Sequence, residues 1–126
     1  MPPHDSPRRV FLVDDHRWLL DTLAHVLSLE DGIEVCGTAT SGEEAIETLP
    51  DHVDVLLTDM RLPGMSGADV VRALATRRPD VACVVVSAKP GDEVRAEALD
   101  AGAVAYVVKG DLPALVHTIH TCCAPA

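Results

Sequence analysis

The sequence is poor in aromatic and basic side chains. Its 126 residues include one Trp, one Tyr and one Phe, and 10 Lys and Arg residues stand against 20 Asp and Glu residues, for a formal net charge of -10 at pH 7. Nucleic acids and anionic membranes attract basic surfaces, and single-stranded nucleic acids also stack on aromatic rings. We therefore expect no direct nucleic-acid binding and no membrane binding by this chain.

Long apolar runs and paired cysteines are also missing. No run approaches the ~20 apolar residues that a helix needs to cross a bilayer, and the polar N-terminus does not resemble a signal peptide. The four cysteines form no C-x-x-C pair, and Cys122 and Cys123 are adjacent, which suits neither a zinc site nor a disulfide framework. These absences favour a cytoplasmic protein.

The sequence does contain a regular alternation of short apolar runs and amphipathic segments. The runs cover residues 10–13, 33–39, 53–58, 81–86 and 104–108. Near-continuous apolar strands that alternate with helices are typical of a parallel sheet covered on both faces. We therefore predict an α/β fold, a three-layer α/β/α sandwich of five strands and five helices over residues 8–123. Residues 1–7 would be a disordered lead-in and residues 124–126 a tail.

Polar side chains follow four of the five predicted strands. Asp14 and Asp15 follow the first strand, Asp59 the third, Ser87 the fourth and Lys109 the fifth. The carboxyl ends of parallel strands share one edge of the sheet, where ligands bind. Two carboxylates ~4 Å apart repel by about 4 kcal/mol at an effective dielectric constant of 20, so this cluster needs a cation, a proton or a lysine. If the cluster binds a metal ion through oxygen atoms only, with no His or Cys nearby, the ligands favour a hard cation, and we expect Mg²⁺.

The same residue types fit phosphoryl transfer. A carboxylate can act as a nucleophile and form an aspartyl phosphate, while a metal, a lysine and a hydroxyl bind the phosphoryl oxygens. Alternatively, each residue could be an ordinary loop or helix-cap residue, since Asp, Ser and Lys are common after strands. Their joint occurrence at four strand ends favours the chemical interpretation.

Four segments carry a resemblance to a known family. They read Val-Asp-Asp-His at 13–16, Leu-Thr-Asp-Met-Arg-Leu-Pro-Gly-Met-Ser-Gly at 57–67, Val-Val-Ser-Ala at 85–88 and Ala-Tyr-Val-Val-Lys at 105–109. In this order they resemble the receiver domain of two-component response regulators, over about residues 8–121. The resemblance implies a flavodoxin-like strand order of 2-1-3-4-5 and a signalling domain rather than an enzyme.

The resemblance also implies a role for each matching residue at the predicted edge. Asp59 would be the phosphoacceptor, receiving its phosphoryl group from a sensor histidine kinase. Asp14, Asp15, Asp59 and the backbone carbonyl of Arg61 would hold Mg²⁺. Lys109 would pair with the Asp59 carboxylate or with the phosphoryl group.

Two further residues would transmit the signal. Ser87 would donate a hydrogen bond to a phosphoryl oxygen, and Tyr106 would be the aromatic switch residue. The fourth helix, fifth strand and fifth helix would form the signalling face and a possible homodimer interface. The Asp-Asp-His start and the Lys109-Gly110 ending are similar to receivers attached to helix-turn-helix output domains. The output would therefore be transcription, through a DNA-binding domain that this chain does not contain.

The sequence departs from the family pattern in one place, and two neighbouring positions are variable in the family. Gly110 follows Lys109 where the family often has proline, so a cis peptide bond is not expected there. Arg61 and Lys89 would flank the phosphorylation pocket, at positions that tune phosphate lifetime in the family.

Two alternatives stay open at the level of the sequence. The first is a Mg²⁺-dependent phosphatase of the haloacid dehalogenase type, which also uses an aspartyl nucleophile. That family requires D-x-D-x-T/V after its first strand, whereas this strand ends in Asp14-Asp15-His16-Arg17, and no substrate cap is evident. The second is a pseudo-receiver that acts only as a scaffold, against which the intact Asp59, Ser87 and Lys109 argue.

Overall fold

A parallel sheet with helices on both faces forms the domain. The computed structural model describes residues 6–88 and 91–123. The elements are β1 (Arg8–Val13), α1 (Arg17–Ser28), β2 (Ile33–Ala39), α2 (Gly42–Thr48), β3 (Val55–Asp59), α3 (Gly67–Arg77), β4 (Ala82–Ser87), α4 (Asp92–Ala101), β5 (Ala105–Val108) and α5 (Leu112–Thr121). All four strand pairings are parallel, in the order β2-β1-β3-β4-β5. The predicted α/β class and strand order are confirmed.

Apolar residues on the two faces of the sheet form two separate cores. Along β1, Val10 and Leu12 pack with α1 and α5, whereas Phe11 and Val13 pack with α2, α3 and α4. This division follows from the strand geometry, because successive side chains point to opposite faces. Both faces are covered, which explains why each central strand is apolar at almost every position.

The start of β3 differs from the sequence prediction for a local reason. The apolar run begins at Val53, but the strand begins at Val55. Between them, the Asp54 carboxylate accepts a hydrogen bond of 2.8 Å from the backbone N–H of Arg9, and the Asp54 N–H donates to the Arg9 carbonyl at 2.9 Å. Val53 is nevertheless buried. Its apolar character therefore reflects packing in the core rather than strand pairing.

The ends of the chain are only partly described. Residues 1–5 of the predicted lead-in, the predicted tail 124–126 and the pocket-flanking Lys89 lie outside the described residues. The domain bounds 8–123 stay a prediction. None of the described helices has the length and apolar character needed to span a membrane.

Polar side chains cap the helices that follow β3 and β5. The Ser66 hydroxyl accepts a hydrogen bond from the Asp69 N–H, and the Asp69 carboxylate accepts one from the Ser66 N–H. These bonds to Ser66 lower the pKa of Asp69 below its usual value. At α5, the Asp111 carboxylate accepts from the Ala114 N–H at 3.2 Å. Each cap satisfies backbone groups that a helix start leaves unpaired.

Arg8 joins the beginning of β1 to the end of α5. Its Nε donates to the Ile119 carbonyl at 3.2 Å, and its Nη2 donates to the Cys122 carbonyl. The carbonyls at a helix C-terminus lack partners within the helix, and a guanidinium group there also complements the negative end of the helix dipole. We call Arg8, Ile119 and Cys122 the Arg8 clamp. It lies at the amino end of β1, the opposite end of that strand from Asp14.

The cysteines in the strands behave as small apolar residues. Cys83 in β4 is buried, and burial raises the pKa of its thiol to about 12. Cys36 in β2 is half-buried and its thiol donates to the Val10 carbonyl at 3.4 Å. Burial also raises the pKa of the Cys36 thiol. Raised pKa values disfavour the reactive thiolate, in keeping with a packing role.

Two leucines at the end of α1 provide a matched test of the packing. Leu27 is fully buried in the core under α1 and α5, whereas Leu29 is 70% exposed. We expect Leu27→Ala to lower the free energy of unfolding by roughly 2–5 kcal/mol, because it leaves a cavity. Leu29→Ala should change it by no more than about 0.5 kcal/mol. Urea unfolding of both variants measures the difference, and equal losses would contradict the described packing.

Candidate acidic phosphoacceptor site

The predicted site residues lie at the carboxyl edge of the sheet. Asp14 directly follows β1, Asp59 ends β3, Ser87 ends β4 and Lys109 directly follows β5. The Lys109 N–H donates to the Ser87 carbonyl at 2.7 Å, which ties the ends of β4 and β5 together. Parallel pairing thus brings four residues from distant parts of the chain to one edge.

Lys109 connects two of the carboxylates directly. Its Nζ lies 2.7 Å from Asp14 Oδ2 and 3.1 Å from Asp59 Oδ2. The Asp14 and Asp59 side chains are only 8% and 14% exposed, so little water screens these ion pairs. Burial alone would lower the pKa of Lys109, but the hydrogen bonds and charges of the two carboxylates outweigh it and raise the pKa. Lys109 is therefore a stable cation between two anions.

The site nevertheless carries excess negative charge. Asp14, Asp15 and Asp59 contribute three negative charges and Lys109 one positive charge, which leaves a net charge of two negative units. Asp15 lines an open cleft together with Asp59 and Lys109, and its side chain is 40% exposed. A divalent cation would balance this charge, and carboxylate oxygens are the ligands that Mg²⁺ prefers. The residues present therefore fit the ion expected from the sequence.

His16 corrects the assumption that only oxygen ligands are present. Residues 6–88 and 91–123 contain one group of three potential metal ligands, which are Asp14, Asp15 and His16, and their ligand atoms lie within 4.8 Å of one another. The His16 Nδ1 lies 3.8 Å from Asp15 Oδ1. Asp59 is not in this group; its carboxylate contacts Lys109 instead. The position of His16, next to the Asp pair, was the available sequence signal.

The loop after β3 packs tightly against the Asp59 backbone. Gly67, at the start of α3, donates its N–H to the Met60 carbonyl at 2.8 Å. A Cβ at Gly67 would lie 2.2 Å from the Asp59 carbonyl oxygen and 2.9 Å from the Met60 Cα. The Arg61 N–H faces Asp59 Oδ1 at 3.4 Å. Gly67 thus allows the loop to close beside Asp59, a contact that sequence spacing did not reveal.

An open cleft of about 960 Å³ surrounds these groups. Its walls come from the ends of the strands and from α3 and α4, and include Asp15, Asp59, Arg61, Ser87 and Lys109. Ser87 is 7% exposed at its floor. Tyr106 does not line the cleft: it is half-buried and packs against the core under α2, α3 and α4. The structure therefore brings together all the predicted site residues except Tyr106, whose switch role stays a prediction.

Comparison with known proteins defines the class of this domain. The family profile for the response regulator receiver domain matches residues 10–120. The chain therefore belongs to the receiver domains of two-component response regulators. This family consists of signalling domains rather than enzymes, so the phosphatase alternative was wrong.

Individual relatives support the same family. The chain is 38% identical to the DNA-binding transcriptional activator DevR/DosR of Mycobacterium tuberculosis over 80% of this chain and 47% of that protein. It is 36% identical to the response regulator GacA of Pseudomonas viridiflava over 81% and 48% of the two chains. The signal receiver domain of NarL from M. tuberculosis superposes with a TM-score of 0.82 at 28% identity, covering 93% of this chain and 99% of that one.

The curated relatives are longer than this chain. The chain spans about half the length of DevR/DosR and GacA. Their sequence likeness therefore concerns the receiver part, and their names describe longer proteins. A further solved structure is that of a LuxR-family response regulator of Aurantimonas. It matches 91% of this chain at 28% identity, with a TM-score of 0.81.

Substitution of Gly67 tests the tight loop beside Asp59. We expect Gly67→Ala to lower the free energy of unfolding by about 3 kcal/mol, since the new Cβ meets backbone atoms that cannot rotate away. Gly91→Ala is the matched control because nothing lies within 4 Å of its Cβ position. Urea unfolding compares the two. A Gly67→Ala protein as stable as the control would contradict this packing.

Proposed function

We propose that this domain is a phosphorylation-dependent switch that accepts a phosphoryl group on Asp59 from a sensor histidine kinase. The observation that carries the proposal is the position of Lys109 Nζ, within 2.7 Å of Asp14 and 3.1 Å of Asp59 at the carboxyl edge of the sheet. Family membership supports the histidine kinase as the partner class. We place this exchange in the cytoplasm.

The proposed reaction transfers the phosphoryl group between two side chains. A carboxylate oxygen of Asp59 attacks the phosphorus, a P–O bond forms, and the P–N bond to the kinase imidazole breaks. Lys109 stays next to Asp59 and offsets the negative charge of the phosphoryl oxygens, and the Ser87 hydroxyl donates a hydrogen bond to one of those oxygens. Asp14, Asp15, Asp59 and the Arg61 carbonyl would hold Mg²⁺. When bound, that ion neutralises charge on the transferring group.

The phosphoryl group would change the ion pairs around Lys109. It replaces the single negative charge of the carboxylate with close to two and adds several acceptor oxygens. Because the Lys109 N–H is bonded to the Ser87 carbonyl, a shift at either residue acts on the ends of both β4 and β5. We infer that Tyr106, in the middle of β5, transmits this shift to α4, β5 and α5.

The proposed output is control of transcription. DevR/DosR is named as a DNA-binding transcriptional activator, and the match to this chain covers 47% of its length. We infer that the acidic receiver acts on DNA through a separate DNA-binding domain. The scaffold pseudo-receiver remains the competing proposal, and phosphorylation separates the two.

Phosphorylation of Asp59 can be tested with a small phosphodonor. Incubation with Mg²⁺ should add one acid-labile and base-labile phosphate, detected by intact-protein mass, and a chelator should suppress the labelling. Asp59→Asn should abolish it because the nucleophilic carboxylate is lost. Asp100→Asn, an exposed position on α4, is the control and should label like the parent protein. Equal labelling of Asp59→Asn, or labelling that ignores the chelator, would contradict the assignment.

The homodimer proposal concerns α4, β5 and α5. Leu99 on α4 is 42% exposed, and Leu29 after α1 is 70% exposed outside this face. We expect beryllofluoride with Mg²⁺ to convert monomer to dimer in sedimentation velocity. Leu99→Glu should prevent the change because it places a charge on the face, while Leu29→Glu should not. A protein that stays monomeric with beryllofluoride would contradict the proposal.

A further inference from the structure

The acidic site contains an imidazole, that of His16, that neither the proposed phosphorylation nor the fold requires. His16 is the N-cap residue of α1, but its side chain makes no capping hydrogen bond. Its backbone N–H donates to Asp14 Oδ1 at 2.9 Å, which leaves the imidazole out of that interaction. The ring lies beside Asp15, with Nδ1 3.8 Å from Asp15 Oδ1 and a side-chain exposure of 72%.

The three side chains form a mixed ligand set. Ligand atoms of Asp14, Asp15 and His16 lie within 4.8 Å of one another. Metal–nitrogen and metal–oxygen bonds of ~2.1 Å place opposite ligands of one ion about 4 Å apart, so small rotations of the two exposed side chains bring all three within reach. Imidazole suits nickel, copper, iron and zinc, whereas carboxylate and water ligands suit magnesium.

We propose that His16 makes this site a binding site for divalent first-row transition cations, which compete with Mg²⁺ for Asp14 and Asp15. The inference rests on the metal-binding part of the proposed function. Mg²⁺ would use the oxygen ligands, and a transition cation would add the His16 nitrogen. The identity of residue 16 would therefore determine which ions reach the phosphoacceptor edge.

A second histidine–aspartate pair supplies a matched control. His52 Nε2 lies 3.6 Å from Asp54 Oδ1, and the His52 side chain is 73% exposed, almost the same as His16. That pair lies before β3, at the opposite end of the strand from Asp59, and does not belong to the three-ligand group. The affinity of the His52–Asp54 pair for a transition cation therefore shows how strongly an exposed His–Asp pair binds such an ion without a third ligand.

Nickel and magnesium binding can be measured without a phosphodonor. The single tryptophan, Trp18, is 74% exposed and two residues from His16, so paramagnetic Ni²⁺ bound there should quench its fluorescence. Isothermal titration calorimetry gives the affinities for Ni²⁺ and Mg²⁺. We expect His16→Gln to lower Ni²⁺ affinity by more than about tenfold, the lower end of what even outer-shell partners contribute. The ratio of Ni²⁺ to Mg²⁺ affinity should fall accordingly.

The remaining variants separate the possible outcomes. Asp15→Asn should lower the affinity for both Ni²⁺ and Mg²⁺. His52→Gln should leave the quenching of Trp18 by Ni²⁺ as in the parent protein. Added Mg²⁺ should raise the apparent Kd for Ni²⁺. Unchanged Ni²⁺ affinity in His16→Gln, or no competition by Mg²⁺, would overturn the inference. If either of these results occurred while Asp59 was still phosphorylated normally in Mg²⁺, only the His16 inference would be overturned and the phosphorylation proposal would stand. Absent phosphorylation with His16-dependent Ni²⁺ binding would contradict only the phosphorylation proposal.

Discussion

The bridge from Lys109 to Asp14 and Asp59 is the interaction on which the site depends. Three carboxylates at one edge of a low-dielectric sheet repel one another, and a single lysine holds two of them within hydrogen-bond distance. The one positive charge of Lys109 does not fully compensate the three negative charges, and this excess charge is useful for a binding site. A fully neutralised cluster would have little affinity for a cation, whereas this one is stable in the fold and still attracts positive charge.

The sheet places these groups because its strands are parallel. Each strand delivers its last residue to the same edge, so residues up to ninety-five positions apart, such as Asp14 and Lys109, meet without any long loop. The two cores on either side of the sheet hold those strand ends in position. Packing far from the cleft, such as that of Leu27, thus supports the geometry at the cleft.

Much of this arrangement was predictable from the sequence, for identifiable reasons. Buried parallel strands have a strong apolar signature, and the polar residue that ends each of them marks the functional edge, as with Asp59 and Ser87. Contacts that depend on local loop geometry were not predictable. A Cβ at Gly67 would lie only 2.2 Å from the Asp59 carbonyl oxygen, and the His16 ring lies beside Asp15. Both features depend on distances in space that spacing along the chain does not encode. The start of β3 was misplaced because an apolar residue can be buried without pairing.

The Arg8 clamp has a consequence for how a signal could leave this domain. It anchors the end of α5 at the amino end of β1, while the acidic cleft opens at the carboxyl end. Six residues of strand separate the two, roughly 20 Å at 3.3 Å per residue. A segment joined after α5, as in a longer protein, would start near the opposite end of β1 from Asp59. The charge on Asp59 would act only weakly on such a segment where the two face solvent, since ~20 Å exceeds the ~8 Å screening length of physiological salt. A change at Asp59 would then reach that segment mainly through movement of the helices and the sheet.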